Sequence, residues 1–186
     1  FAMKMIDKLA NFCDVKYVKF QKRNPKELLS KEKYNMPHPV PANSFGKTYG
    51  LHREKLEFNI NQHKKIQSYC KKKKIEYMCS AWDITSLNQL ISLKVKHIKI
   101  PSACNNNQAL LKNLFKRFNG YCHISLGMTT ESEEKNIFEL SKKYKMNKKL
   151  ILYACTSDYP VKQEDICLLE ILRLKKKYGR EICDIG

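Results

Sequence analysis

Lysine and serine residues stand near the ends of several short apolar segments, where they could bind a small anion. Lys19 and Lys99 lie inside such segments, and an ammonium group in apolar surroundings needs a negative partner or loses its proton. Hydroxyl side chains cluster at the matching segment ends, at Ser80, Ser102, Ser125 and Ser157. Two cations and several hydroxyls grouped at the same ends of these segments suit a ligand that carries phosphate or carboxylate.

The two lysines also allow other interpretations. Either one could be an edge residue whose ammonium reaches solvent, or a desolvated amine that forms a Schiff base in an aldolase. Gln21 lies two residues after Lys19 and therefore shares its face of an extended strand. The anion site is favoured because lysines occur in two strands and serines stand at the same end.

The histidine and cysteine residues show no metal-binding spacing. No two of the eight cysteines are closer than nine residues, so no CxxC pair exists, and reduced thiols in a cytosolic chain are expected. His97 and His123 stand at predicted strand starts and are interpreted as structural. His52 lies in a predicted long loop, where it either contacts substrate or caps the loop.

Hydrophobic periodicity predicts the elements that position these residues. A helix is predicted over 2–12, a strand over 15–21 and a long irregular segment over 22–60. Further strands are predicted over 76–80, 97–101, 121–127, 150–155 and 181–185. Helices are predicted between them, over 61–73, 84–93, 107–118, 131–144 and 163–177.

This repeated order of strand and helix requires a parallel sheet with helical crossovers. Two folds have this order of elements, an open doubly wound sheet and a (β/α)8 barrel. No GxGxxG follows a predicted strand, which weakens the dinucleotide-binding alternative. A whole barrel needs about 250 residues, and both ends of this chain look cut. The sequence therefore predicts a portion of a longer protein.

The composition limits the classes of partner. With 36 Lys and Arg against 18 Asp and Glu, the 186-residue chain has a formal net charge of +18. Only five of the basic residues are Arg, and the lysines are spread over most predicted helices. A nucleic-acid-binding module would need one clustered cationic face, so this reading is disfavoured. No apolar run approaches the ~18 residues of a membrane span, and no secretory signal opens the chain.

Six motifs resemble the sialic acid synthase family, in the family's order and spacing. They are VKFQKR, FGKTYGLHREKLEF, SAWD, KIPSACNNNQALL, ISLGM and CTSDYPVKQEDICL. The combination is highly specific and covers essentially the whole chain. It implies an α/β fold, with residues 1–186 forming part of a (β/α)8 TIM barrel, from about strand two to the start of strand seven. It also implies a C-terminal antifreeze-like domain that this sequence does not include.

The resemblance implies a synthase reaction. Family members condense phosphoenolpyruvate with N-acetylmannosamine, or its 6-phosphate, to N-acetylneuraminate, or its 9-phosphate, and release phosphate. A divalent metal, Mn²⁺ or Mg²⁺, activates the sugar aldehyde, and its ligands are expected beyond Gly186. The full protein is expected to be a cytoplasmic homodimer with no nucleic-acid or membrane partner.

The matching motifs imply which residues of this chain correspond to the family's binding residues. The phosphoenolpyruvate ligands are then Lys19, Ser80, Lys99, Ser102, Ser125 and Ser157, and the sugar contacts are Gln21, Asn43 and Tyr159. No catalytic residue is assigned within the chain, and the segment by itself is expected to be inactive. Cys104 stands where the family often carries an acid, and Leu126 replaces a small hydroxyl residue. Either change could alter activity, so a catalytically retired homologue remains an alternative.

Overall fold

The chain folds into two compact units. The computed structural model describes residues 1–186, which divide into Phe1–Leu93 and Lys94–Gly186. None of the helices combines the length and the apolar character that crossing a membrane requires.

The first unit contains two strands and six helices. Its elements are α1 (Ala2–Phe12), β1 (Tyr17–Lys22), α2 (Pro25–Leu28), α3 (Lys31–Asn35), a 3-10 turn (Pro41–Asn43), α4 (Tyr49–Leu56), α5 (Ile60–Lys72), β2 (Glu76–Ala81) and α6 (Ile84–Ser92). Strands β1 and β2 are parallel, with Lys19 opposite Met78 and Gln21 opposite Ser80.

The second unit repeats strand and helix in regular order. Its elements are β3 (His97–Ile100), a 3-10 turn (Ser102–Cys104), α7 (Gln108–Arg117), β4 (Tyr121–Ser125), α8 (Glu131–Lys143), a 3-10 turn (Asn147–Lys149), β5 (Leu150–Tyr153), a 3-10 turn (Gln163–Asp165), α9 (Leu169–Tyr178) and β6 (Asp184–Ile185). Each strand pairs in parallel with the next along the chain.

The strands of the second unit separate apolar from polar side chains. One face carries the fully buried core residues Ile98, Ile100, Cys122, Ile124, Leu150 and Leu152. Because side chains alternate along a strand, the opposite face carries His97, Lys99, His123, Ser125 and Tyr153. The core face therefore holds the unit together, and the other face is left for polar groups.

Side-chain caps fix where the longer helices begin. Asn59 and Thr130 each form a capping box with the residue three positions on, Gln62 and Glu133. These bonds satisfy backbone N–H groups that a helix start leaves unpaired. The caps place α5 and α8 within a residue of their predicted starts.

Most predicted elements after residue 60 are confirmed apart from small shifts at their ends, and two predictions, one before and one after residue 60, need correction. The segment 22–60 is not irregular, because α2, α3 and α4 lie within it. These helices are too short to show a helical periodicity, and prolines interrupt the segment. Their first turns are capped by Asn24, Ser30 and Thr48. The helix predicted over 163–177 is a 3-10 turn followed by α9, and α9 has no side-chain cap and begins at Leu169.

A buried histidine between α5 and β2 makes stability depend on pH. His63 is fully buried, and its Nδ1 lies 2.6 Å from the Tyr77 hydroxyl. Burial, aided by the nearby Lys22 ammonium, lowers the pKa of His63 to about 4. The folded state therefore keeps this ring neutral at pH values where the unfolded chain, with a pKa of about 6.5, has bound a proton.

We expect the free energy of unfolding to fall as the pH drops from about 6.5 to about 4, by at most about 1.4 kcal/mol per pH unit from this group. Urea denaturation at several pH values measures it. His63→Phe removes the titrating group and should flatten the slope over this range. An unchanged slope in that variant would show that His63 is not its source.

Candidate anion-binding site

Three of the predicted ligands lie on one face of the two strands of the first unit. Lys19 and Gln21 are exposed on β1, and Ser80 on β2 is 6% exposed and stands opposite Gln21. Of the environments that the sequence left open for Lys19, the structure shows the exposed one. Only the face of β1 that bears Phe20 packs against the aromatic rings of Phe58 and Tyr77. The ammonium of Lys19 is thus available to a ligand.

Lys99 occupies a different environment in β3. Its neighbours Ile98 and Ile100 are fully buried on the core face, whereas Lys99 is half-buried on the polar face and stands opposite His123 of β4. A half-buried ammonium on a polar face can accept an anionic ligand while its stem packs against the sheet.

The serines after β3 and β5 converge on a glycine after β4. A Cβ built on Gly127 would overlap the Ser157 hydroxyl and lie 2.9 Å from the Ser102 hydroxyl. Cys155 joins this cluster, since its Sγ accepts a hydrogen bond from the Gly127 N–H at 3.2 Å and lies 3.2 Å from Ser102 Oγ. Three strand ends therefore place two hydroxyls and a thiol around one backbone position.

The turn that carries Ser125 and Gly127 is held by an asparagine that the sequence did not single out. Asn105 is 1% exposed, and its Nδ2 donates to the Ser125 carbonyl at 2.8 Å and to Thr129 Oγ1 at 2.6 Å. Ser125 itself is buried at the end of β4. The only sequence signal for this role is the position of Asn105, just after a strand end among three consecutive asparagines.

We expect Asn105→Ala to lower the free energy of unfolding by about 1–3 kcal/mol, because it removes a buried hydrogen bond to the Ser125 carbonyl and a part-buried one to Thr129. Urea denaturation measures the change. Asn106→Ala is the matched control: this neighbour is exposed and bonds only to Glu133, so its effect should be small. Equal effects in the two variants would contradict the structural role of Asn105.

A chain of polar rings lies beside Lys99 and Ser125 on the same face. His97 Nδ1 lies 2.9 Å from His123 Nε2, and His123 Nδ1 lies 2.8 Å from the Tyr153 hydroxyl. Both imidazoles are buried. His97 does begin β3, but His123 is in the middle of β4, so its predicted place at a strand start is wrong. Strand register puts Lys99 opposite His123 and Ser125 opposite Tyr153.

The remaining predicted sugar contacts are on exposed segments. Asn43 ends the 3-10 turn in the first unit, and Tyr159 is 97% exposed, two residues after Ser157 in the second. Cys104 is buried in the 3-10 turn that Ser102 begins. A buried thiol there cannot present a carboxylate to substrate.

Residues that could hold a metal do not come together in this chain. No group of three or more His, Cys, Asp or Glu side chains is arranged to hold an ion. The described residues therefore do not by themselves fit the divalent metal that the resemblance implies.

Comparison with known proteins places this arrangement in a family. The model of the NeuB family matches residues 5–186. The chain belongs to the NeuB family. It is 30% identical over 177 residues to N-acetylneuraminate-9-phosphate synthase of Mus musculus, covering 95% of this chain and 48% of that protein. It is 32% identical over 161 residues to the synthase of the same name from Drosophila melanogaster, covering 87% of this chain and 42% of the relative.

A solved structure shows the same fold. The N-acetylneuraminic acid (sialic acid) synthetase of Leptospira borgpetersenii, in complex with citrate, matches with a TM-score of 0.81 and 27% identity, over 100% of this chain and 57% of its own. This match confirms the predicted fold class for a NeuB-family chain, a partial (β/α)8 barrel, and disfavours the doubly wound alternative. The chain spans about half the length of the curated relatives it matches.

Proposed function

We propose that the protein containing this NeuB-family chain condenses phosphoenolpyruvate with N-acetylmannosamine, or its 6-phosphate, to form N-acetylneuraminate, or its 9-phosphate. The observation that carries the proposal is the convergence of the Ser102 and Ser157 hydroxyls on Gly127, at the ends of parallel strands. Anion-binding groups at strand ends suit a substrate that bears both a phosphate and a carboxylate. The names of the relatives support the same activity.

In this proposal the chain binds and orients the two substrates. Lys19, Lys99 and the serines hold the two anionic groups of phosphoenolpyruvate, the serines being Ser80, Ser102, Ser125 and Ser157. Gln21, Asn43 and Tyr159 contact the sugar. Two cations compensate the negative charge of the donor, and the hydroxyls fix its orientation, so that its methylene carbon faces the sugar aldehyde.

The proposed reaction forms one carbon–carbon bond and releases phosphate. The methylene carbon of phosphoenolpyruvate forms a bond to the aldehyde carbon, whose oxygen gains a proton. Water adds to the resulting oxocarbenium-like carbon, and the bond from that carbon to the phosphate oxygen breaks. The products are the keto acid and inorganic phosphate. A divalent Mn²⁺ or Mg²⁺, with ligands expected beyond Gly186, would supply Lewis-acid activation of the sugar aldehyde.

The proposal extends to the whole protein. We infer a C-terminal antifreeze-like domain, a homodimer and a cytoplasmic location, where reducing conditions suit a chain whose eight cysteines are all free. Residues 1–186 alone are expected to be inactive, since they provide no group of metal ligands.

Phosphate release by the complete translated protein tests the function. It is measured with phosphoenolpyruvate and Mn²⁺, with and without N-acetylmannosamine or its 6-phosphate, and again with a chelator. Sugar-dependent, chelator-sensitive release supports the synthase and identifies the acceptor. Folded, metal-loaded protein that releases no phosphate with either sugar contradicts the proposal. It would favour an acceptor from related nonulosonic acid synthesis or a retired enzyme that lost activity with Cys104.

The Schiff-base aldolase is a separate outcome. A desolvated Lys19 or Lys99 amine would form an imine with a keto acid, which borohydride traps as a covalent adduct. The relatives favour the synthase, so we expect no adduct. A trapped lysine together with chelator-insensitive turnover would support the aldolase instead.

Gly127→Ala should weaken phosphoenolpyruvate binding and should also lower stability. The added methyl group displaces the two serine hydroxyls, so we expect the KM for phosphoenolpyruvate to rise by about tenfold. It also lies 3.0 Å from the Cys155 carbonyl oxygen, which has to shift, so the free energy of unfolding should fall. Steady-state kinetics measures it, with urea denaturation as the folding control. Combined with Ser157→Ala, which removes the overlapped hydroxyl, the effects should be less than additive. Full additivity would contradict the shared site.

A further inference from the structure

A histidine of the first unit packs against the loop that carries Asn43. His52 lies in α4, not in a loop as the sequence suggested, and is 8% exposed. Its ring stacks on Phe45 with centroids 5.6 Å apart and planes 7° apart. It also meets the ring of His38 edge-on at 4.3 Å. Phe45 and His38 are on opposite sides of Asn43 in the chain, so one side chain contacts both ends of the loop.

Hydrogen bonds fix the loop on both sides of Asn43. The Phe45 N–H donates to His52 Nδ1 at 3.2 Å. On the other side, His38 Nδ1 lies 2.7 Å from the Val40 carbonyl oxygen and 3.0 Å from the Val40 nitrogen, and it bonds to one of them according to the tautomer of the ring. On each side of the 3-10 turn that ends at Asn43, the backbone therefore contacts an imidazole ring. The two rings also contact each other.

Close backbone packing removes further freedom from the loop. A Cβ on Gly46 would lie 2.7 Å from the backbone nitrogen of His52, so the chain approaches α4 where a side chain has no room. The Ser44 hydroxyl donates to the Gly46 carbonyl at 2.6 Å. These contacts set the path of residues 44–46 against the start of α4.

The bond from Phe45 requires a neutral His52. Nδ1 accepts a hydrogen bond only when the ring proton is on Nε2. Burial lowers the pKa of His52, and the charges of His38 and Arg53 lower it further. The acceptor is therefore present at neutral pH.

We propose that His52 is a positioning residue for the sugar substrate. It holds residues 38–46 in one conformation through the Phe45 hydrogen bond and the stacked rings, and so keeps Asn43 where the sugar binds. This inference rests on the proposed function, in which Asn43 contacts the sugar. A preorganised loop lowers the ordering cost of binding, so His52 should affect binding of the sugar and not of phosphoenolpyruvate.

Steady-state kinetics of His52→Ala and His52→Asn in the complete protein tests the proposal. We expect His52→Ala to raise the KM of the sugar by about tenfold or more, with the KM of phosphoenolpyruvate changed less than about twofold. The Asn side chain places an oxygen near the position of Nδ1, so His52→Asn should recover most of the lost sugar affinity. Hydrogen exchange of the Phe45 amide should accelerate in His52→Ala and slow again in His52→Asn.

The other outcomes are distinguishable. An unchanged sugar KM in His52→Ala overturns the inference, as does an equal rise in both KM values or an Asn variant as impaired as the Ala variant. If His52→Ala fails to fold, His52→Phe decides, because it keeps the ring that stacks on Phe45 and lacks the Nδ1 acceptor. The sugar KM must then rise, with the KM of phosphoenolpyruvate changed less than about twofold. If the wild-type protein is inactive with every acceptor, the proposed function is contradicted. If the wild type is active and the His52→Ala variant has the same sugar KM, only the role of His52 is contradicted.

Discussion

Arg173→Met should lower the free energy of unfolding at pH 7 by about 3 kcal/mol. Arg173 on α9 pairs with Glu134 of α8, which is almost completely buried. Removing the guanidinium leaves this carboxylate with Lys177, whose Nζ is 2.9 Å away, as its remaining cation. Breaking a buried pair costs about 3–5 kcal/mol. We expect the low end because Arg173 is one-third exposed.

The cost should depend on pH. Burial alone would raise the pKa of Glu134, but hydrogen bonds from Arg173 and Lys177 outweigh it and hold the pKa below its usual value. The pair therefore stabilises the fold above the unfolded pKa of about 4.3, and this contribution is lost as the pH falls through the folded pKa. The difference between Arg173→Met and wild type should be largest at pH 7 and should shrink as the pH falls below about 4.3.

Urea denaturation of both proteins at pH 7 and at pH values from about 4.3 down to about 3 measures this difference. Lys176→Met is the matched control, since Lys176 is an exposed cation on the same helix, and its loss should not change stability measurably. A difference between Arg173→Met and wild type that stays constant with pH would show that the lost stability comes from side-chain packing, not from the charge on Glu134.

Lys99→Met should reduce kcat/KM for phosphate release by about 100-fold or more. In the proposed function this ammonium faces an anionic substrate in a half-buried position. Loss of one well-placed charge-stabilising donor typically costs about 100- to 1,000-fold. Met has an apolar side chain of similar length to the Lys99 stem, so the unfolding midpoint in urea should stay close to wild type. The KM for phosphoenolpyruvate should rise as well, because the charge also contributes to ground-state binding.

Two further variants show what Lys99 contributes. Lys99→Arg keeps the positive charge without a nucleophilic amine, so partial activity supports an anion-binding role. An Arg variant as inactive as the Met variant, together with a borohydride-trapped adduct in wild type, would indicate Schiff-base chemistry. Lys112→Met, on the exposed surface of α7, controls for the change in net charge and should leave kcat/KM unaltered.

The sequence by itself determined the fold class and the family. The alternation of short apolar segments with amphipathic ones reflects local backbone geometry, because a strand buried on both faces and a helix with one apolar side each impose their own periodicity. It therefore located every strand after residue 60. The motifs, such as KIPSAC and CTSDYP, added the family and the residues proposed to bind phosphoenolpyruvate and sugar. Their roles remain predictions.

The local sequence pattern did not predict the burial of residues whose environment is set by distant segments of the chain. Lys19 and Lys99 both interrupt apolar segments, yet Lys19 is exposed and Lys99 is half-buried. The difference depends on what packs against each face of the strand, and that is a property of distant segments. For the same reason the short helices between residues 25 and 56 were hidden, since each is stabilised by a cap and by its packing, not by a long periodic pattern.

Only the tertiary structure decided which side chains support the site. Gly127 brings together Ser102 and Ser157, which are 55 positions apart in sequence. His97, His123 and Tyr153 likewise form one hydrogen-bonded chain across three strands. Asn105, which tethers a neighbouring turn, has no signature of its own. For His52 the sequence left open a substrate contact or a loop cap, and the structure shows its ring packed against the loop. Strand pairing and close packing create these contacts between segments, and periodicity within a single segment carries no record of them.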